Sequence, residues 1–522
     1  MPAAKPSRYV SRRSILRATA WSASLLAVAT TLTGSASMNF SKRAVVYGGT
    51  PSGIMAAIAA ARGGLDVTLL LGESPLGGMM ASGLSRSDVV APATLGGLGA
   101  RFFNQVGTAY GITGPIYNFE PHIAAKVFRS MMTGYDVRVT EGVIRRVTKY
   151  GSALRSISVL DGSEYPAEIF IDASYEATLL QLAGVRTTHG REPAHQYGES
   201  AAGYLRYNAL YPIENIATHG RQPDGLMPLP DELVGQGDLG IMAYNYRLCL
   251  SKDPTNSRPF AKPPGYNPSH FALLGRSLRN GIPFMKPLSI PGGKFDLNGG
   301  GFFDSDYVGA SWAFPTANLA GRRAIAVAHR RYLAGLLYYT ANDPSVPQAI
   351  RGNLQQYGLA KDEFPDNENW PLQLYLRETR RMVGAYVIRQ ADLQVQTSKS
   401  DSIGVGSYPL DCHHVRRFVS GPGTIAQEGG IPPAIREVKD YDIPFAALLP
   451  SPRDATNLLS SVCISSTHVA WCSLRVEPTF MILGEAAGVA ASLACATDTP
   501  LHQLGSVDLQ RALRDHAVVL KG

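Results

Sequence analysis

An apolar run from Ala44 to Tyr47 breaks at Gly48-Gly49-Thr50-Pro51-Ser52-Gly53, and an Ala-rich, helix-favouring segment continues to Arg62. Gly63-Gly64 ends that segment, and Val67 to Leu71 is a second apolar run of strand length. A strand, a glycine turn, a helix and a parallel strand form the unit that binds dinucleotides. Gly48 suits the tight turn, and Gly53 lets helix and sheet approach closely. The N–H groups at a helix start can hold a pyrophosphate. Thr50 stands where G-x-G-x-x-G has its middle glycine. Leu71 occupies the usual slot of the ribose-binding acid, with Glu73 two residues on. A tight βα turn that binds nothing stays open as the other reading of this stretch.

Leu76 to Gly83 is a glycine-rich loop beyond the second strand, where ligands collect in open α/β sheets. Strand-like runs follow at Val137–Val147, Ile157–Leu160 and Glu168–Ile171, with a hairpin turn at Lys149–Ser152. From about residue 205 to 400, Pro and Gly cluster and helical patterns return at Leu319–Tyr339 and Trp370–Met382. Near the end, Asn457–Leu459 and Val462–Ile464 read as a buried strand and its exit. Gly484-Glu485-Ala486-Ala487-Gly488 opens a second small-residue helix running to Ala496. Either that helix aims its N-terminus at a cofactor or it is a close-packed core helix. The expected fold is α/β: a Rossmann-like dinucleotide domain at 40–205 and 401–522, with an α+β substrate or cap domain inserted at 206–400.

The 522 residues exceed what one core usually supports, and 45% hydrophobic with 17% charged residues is a globular composition. Five of the eight net positive charges come from Lys5, Arg8, Arg12, Arg13 and Arg17 in residues 1–37, which hold no acid. No concentrated basic face is left for nucleic acid. Ser11-Arg12-Arg13-Ser14-Ile15-Leu16-Arg17, the Ala/Ser/Thr-rich segment to Leu32 and the small residues Gly34 to Ser37 resemble a twin-arginine export signal. The expected partner is the twin-arginine export machinery, and the expected destination is the periplasm or the medium. No later stretch reads as a membrane anchor. The twin-arginine route carries folded proteins, often already loaded with a cofactor, so export and a dinucleotide site support each other. Cys249, Cys412, Cys463, Cys472 and Cys495 show no metal-binding spacing and read as buried thiols, the alternative being a Cys463–Cys472 pair in an oxidising compartment.

Many ordered blocks resemble one family: VVYGGTPSGIMAA, LGGMMASGL, IDASYEATLL, GREPAHQYGES, YNYRLCL, LRETRRMVGAYVIRQADL, SYPLDCHHV and SSTHVAWCSLRVEPTFMILGEAAGVAA. Together they are similar to the FAD-dependent oxidoreductases often labelled xanthan lyase-like, within the two-dinucleotide-binding-domain flavoproteins. The family also has Thr after its second glycine, but usually Glu where Leu71 stands. The resemblance implies FAD. It implies Gly48, Gly49, Thr50, Ser52 and Gly53 at the pyrophosphate, and Gly77, Gly78 and Ser82 along the ribityl chain and flavin. It also implies Glu73 at the ribose, Val143 at the adenine, Asp172 and Ala173 beneath the cofactor, and Gly484, Glu485 and Ala486 at the flavin's O2 side.

Flavin takes hydride from a substrate C–H, so the protein must accept a proton, a task that suits histidine. His413 and His468, in the matched blocks, are the candidate bases. Arg475 is a candidate for a substrate oxyanion or the flavin edge, the alternative being a structural pair with Glu477. Tyr408 is a candidate hydroxyl partner, and Arg247 a weaker substrate contact. Arg377, Glu378, Arg380 and Arg381 read as an ion network on one helical stretch. No G-x-S-x-G, H-E-x-x-H or P-loop motif occurs. The expected function is hydride transfer between flavin and a small organic substrate, with sugars and polyols in view and the electron acceptor unknown. A flavin-bearing binding protein and a polysaccharide lyase are the alternatives.

Overall fold

A computed structural model of the chain describes residues 42–205, 209–213, 226–231, 233–395 and 397–521, so the leader expected at 1–37 lies outside the described residues. The opening unit forms as expected from β1 (Arg43–Tyr47), α1 (Pro51–Arg62) and β2 (Asp66–Leu70), with Val45 opposite Thr68 across the parallel pair. Three further strands, β3 (Val137–Thr140), β4 (Ile169–Asp172) and β5 (Leu458–Ser460), complete a wholly parallel sheet in the order β5-β4-β1-β2-β3. α1 packs against β1 and β2, and both strands and β4 are buried almost throughout, which is why they read as unbroken apolar runs. The sheet draws strands from both ends of the chain.

The run expected as one strand over Val137–Val147 is two strands. β3 continues the parallel sheet, and after Glu141–Val143 the chain enters an antiparallel sheet of Ile144–Tyr150, Ala153–Val159 and Glu164–Pro166. Gly151, at φ +60°, makes the hairpin turn between the first two.

Between residues 206 and 400 a second antiparallel sheet has the order Ser257–Arg258, Gly358–Ala360, Leu248–Ser251, Lys294–Leu297, Leu288–Ile290. It is accompanied by α2 (Leu319–Asn342). The helix expected over Trp370–Met382 does not form. Leu372 is exposed and most of the other residues are buried and tied individually: Tyr375 N–H donates to the Asn245 carbonyl, and Arg381–Met382 pairs with Thr187–Thr188 as a short ladder. Tertiary partners here override a helical propensity.

The late small-residue helix also differs from expectation. After α3 (His468–Leu474), α4 spans Glu477–Thr497, so Gly484, Glu485 and Ala486 lie about two turns inside it. They do not form its N-terminus. A Cβ at Gly484 would sit 2.1 Å from the Ser52 carbonyl oxygen, and one at Gly488 2.3 Å from that of Ala56. The two glycines let the backbones of α1 and α4 touch. Glu485 is buried and accepts from the Leu98 amide at 2.7 Å. Against the expectation that no later stretch reads as a membrane anchor, α4 is long and apolar enough to cross a membrane, with a mean hydropathy of 1.6, but 83% of its apolar stretch is buried inside the protein.

Candidate active site

The loop between β1 and α1 is shaped by what it touches. Gly48 has φ +123°, and a Cβ there would lie 2.5 Å from the Ala173 carbonyl carbon. A Cβ at Gly49 would lie 2.9 Å from the Ser74 carbonyl oxygen, and one at Gly53 2.0 Å from that of Gly48. Thr50 caps α1: its Oγ1 accepts from the Gly53 amide at 3.1 Å and donates to the Ala173 carbonyl at 2.8 Å. Ser52 Oγ bonds Ser461 Oγ at 2.9 Å. Both side chains therefore hold the loop in shape, and what they can offer a ligand is backbone. Among the described residues the Thr50 and Ser52 amides make no backbone hydrogen bond. Asp172 accepts from the Ser174 amide and hydroxyl (2.9 and 2.7 Å) and the Leu180 amide (2.8 Å), ordering the turn beneath the loop. Ala173 donates to the Tyr47 carbonyl at 2.8 Å.

Past the end of β2, a cavity of about 520 Å³ opens between Leu71–Pro75 and Glu141–Val143. A second, of about 300 Å³, shares Gly72, Glu73 and Val143 with it and reaches Glu176 and Arg322. Glu73 accepts from Arg322 of α2 at 3.0 Å. Further along, Gly77 and Gly78 have φ +93° and +50°. The Tyr175 hydroxyl accepts from the Met79 amide at 3.2 Å and donates to Glu477, the first residue of α4. Burial pushes the Glu477 carboxyl up to about 8, against the lowering effect of the Tyr175 hydrogen bond. Ser74 Oγ, Ser82 Oγ and Glu477 Oε2 are buried without partners among the described residues.

This set fits a dinucleotide. The glycine cradle and helix start would hold the pyrophosphate, Glu73 and Val143 the adenosine, and Gly77 to Ser82 the chain leading to the flavin. The orphaned serine and glutamate oxygens are groups that a polar cofactor would satisfy.

A second cluster surrounds His413. Its Nδ1 lies 2.6 Å from Asp306 Oδ2, and its Nε2 lies 3.6 Å from Asp411 Oδ2. The other Asp306 oxygen meets Arg377 at 2.9 Å. Asp411 also accepts from Arg475 and Arg436, each at 2.9 Å. Arg475 therefore pairs with Asp411 and not with Glu477. Arg247, ion-paired with Asp296 at 2.8 Å, and Arg377 both lie over the Tyr375 ring, 5.4 and 5.2 Å from its centre. The Tyr408 hydroxyl donates to Asp88 at 3.4 Å. Burial and the Arg377 charge oppose protonation of His413, but Asp306 and Asp411 outweigh them and raise its pKa. Burial would raise the Asp306 and Asp411 carboxyls, yet Arg377 and His413 hold the first, and His413 and Arg475 the second, well below the carboxylate range.

His468 sits elsewhere. Its Nδ1 faces Glu378 at 2.9 and 3.0 Å, and its Nε2 lies 3.5 Å from Cys412 Sγ. Its side chain is 4% exposed, against 22% for His413. Burial opposes its charge, but Glu378 and Cys412 raise its pKa to about 10. The fold thus gathers His413, Tyr408 and Arg475 and sets His468 apart. It adds Asp306, which sits in a loop without a motif, and Asp411, which was legible only as a neighbour of His413.

The profile of the family described as FAD dependent oxidoreductase matches residues 44–513. No curated protein matches the chain. Among solved structures, thioredoxin reductase from Lactococcus lactis is 20% identical, covering 26% of this chain and 35% of that one, with a TM-score of 0.18. CabE, an aromatic hydroxylase from angucycline biosynthesis, is 10% identical, covering 49% of this chain and 43% of that one, with a TM-score of 0.27. The chain spans less than half the length of either, and such likeness adds nothing to the family match. With the parallel sheet, the glycine cradle and a family match over nearly its whole described length, the chain belongs to the FAD dependent oxidoreductase family and is an FAD-dependent enzyme.

Proposed function

We propose that the enzyme transfers hydride between its flavin and a small organic substrate bearing a C–H and an ionisable O–H, with sugars and polyols as the first candidates, and that His413 carries the proton. Bound FAD supplies hydride acceptance and return at N5. The observation that carries the reading is the geometry of His413. Asp306 holds Nδ1 at 2.6 Å and so fixes the ring, while Nε2, whose nearest carboxylate oxygen is 3.6 Å away, is left to meet a substrate hydroxyl. Tyr408 and Arg475 line the same cluster and orient the oxygen that loses its proton. In this reading the enzyme is exported folded by the twin-arginine route and works outside the cytoplasm with an acceptor of unknown identity.

The test is an anaerobic screen of sugars and polyols that follows flavin bleaching. A bleaching substrate should be converted to its oxidised product by the parent enzyme, and His413→Ala should slow bleaching by about 10²–10⁴-fold at unchanged FAD content. Bleaching at the parental rate in that variant would remove His413 from the proton path.

A further inference from the structure

We infer that Cys412, His468 and Cys472 form a buried binding site for a thiophilic d¹⁰ divalent cation, with Zn²⁺ as the probe. His468 and Cys472 stand four residues apart on α3 and so share one face of that helix. Cys412 reaches the same point from the loop that also carries Asp411 and His413. The two sulfurs and one ring nitrogen all lie within 4.8 Å of one another, and all three residues are buried. Cys412 Sγ and His468 Nε2 are 3.5 Å apart. Zn–S and Zn–N bonds of about 2.3 and 2.0–2.1 Å in a tetrahedron set such ligand atoms roughly 3.5 Å apart.

Glu378 is the second observation. It accepts from His468 Nδ1 at 2.9 and 3.0 Å, which turns Nε2 toward the sulfurs. A carboxylate behind a ligating imidazole is the arrangement that fixes tautomer and ring plane at zinc sites. Arg381 pairs with Glu378, so this outer carboxylate is itself neutralised. Binding displaces the proton held between Cys412 and His468 and the thiol proton of Cys472, forms two Zn–S bonds and one Zn–N bond, and releases both protons to solvent with no change of oxidation state. Two thiolates then cancel the charge of the dication, which keeps its burial affordable. Three protein ligands leave one coordination position to water or a backbone carbonyl. The ion would clamp the 411–414 loop onto α3 without touching the reacting atoms.

FAD-loaded protein is incubated with Zn²⁺, dialysed against a weak chelator and analysed for zinc by plasma emission spectrometry. The expected result is about one zinc per chain, falling at least tenfold in Cys412→Ser and in Cys472→Ser. Folding of both variants is checked by circular dichroism and FAD content. His122→Gln tests the one other such group among the described residues, Glu120, His122 and Glu363, and should leave the zinc content unchanged. Zinc below about a tenth of an equivalent in the parent, zinc lost with His122, or a Cys412–Cys472 disulfide in the peptide map would overturn the assignment. If neither serine variant folds, the parental stoichiometry and the His122→Gln control decide.

Discussion

At the scale of residues, burial and pairing separate groups that look alike in sequence. His413 and His468 are equivalent as members of matched blocks, yet one meets partial solvent between two aspartates and the other is enclosed between Glu378 and Cys412. Glu477 offers a pH test that does not depend on the substrate. Burial raises its folded pKa from 4.5 to about 8. Between those values the folded protein keeps a proton that the unfolded chain has shed. The stabilisation is complete below the unfolded value and is lost as pH rises through the folded one. The melting temperature should therefore fall more steeply from about pH 5 to 9 in the parent than in Glu477→Gln, which cannot ionise. Parallel curves in a thermal-shift series would show that Glu477 titrates as an exposed carboxyl. Neither Glu477 protonation nor the Asp306–His413 contact was legible in the sequence, because the first depends on burial beside Tyr175, 302 residues away, and the second joins residues 107 apart.

At the scale of elements, short-range periodicity served well where the chain makes its own hydrogen bonds. α1, β1, β2 and the hairpin at Gly151 stand where the pattern put them. It failed where long-range partners decide. Arg377 and Arg381 mimic a helix face but are buried one by one, the first against Asp306 and the second against Glu192 and Glu378. The start of α4 is obscured in the sequence because its first turn, Glu477-Pro478-Thr479, carries no apolar period, although Pro in a first turn is itself a start signal. The α1–α4 contact is the element-scale prediction. Gly484→Ala puts a methyl group 2.1 Å from the Ser52 carbonyl oxygen, so the helices must part. Overpacking of this kind costs about 1–3 kcal/mol. Because α1 begins at the glycine cradle, FAD retention on gel filtration should drop along with the melting temperature. A variant with full FAD and parental melting would mean that the contact yields without cost.

At the scale of the whole molecule, the purified enzyme should carry one releasable FAD per chain. Replacing both Arg12 and Arg13 by Lys keeps the charge but removes the guanidinium pair, so the precursor should accumulate in the cytoplasm in a fractionation assay. Normal export of that variant would refute the twin-arginine reading. The parallel sheet and its cradle were legible because their signals are local. The enclosure of the site was not, since it is built from loops of low periodicity. The Ser52–Ser461 hydrogen bond joins residues 409 positions apart. During synthesis α1 must wait for its partner helix while the intervening chain emerges, which at 5–20 residues per second takes roughly 20–80 s. Throughout that interval its small-residue face is uncovered and the cradle lacks its backing. Cofactor capture thus becomes a checkpoint near the end of translation, and a nascent chain stopped before α4 should be a ward of chaperones, colourless and protease-sensitive.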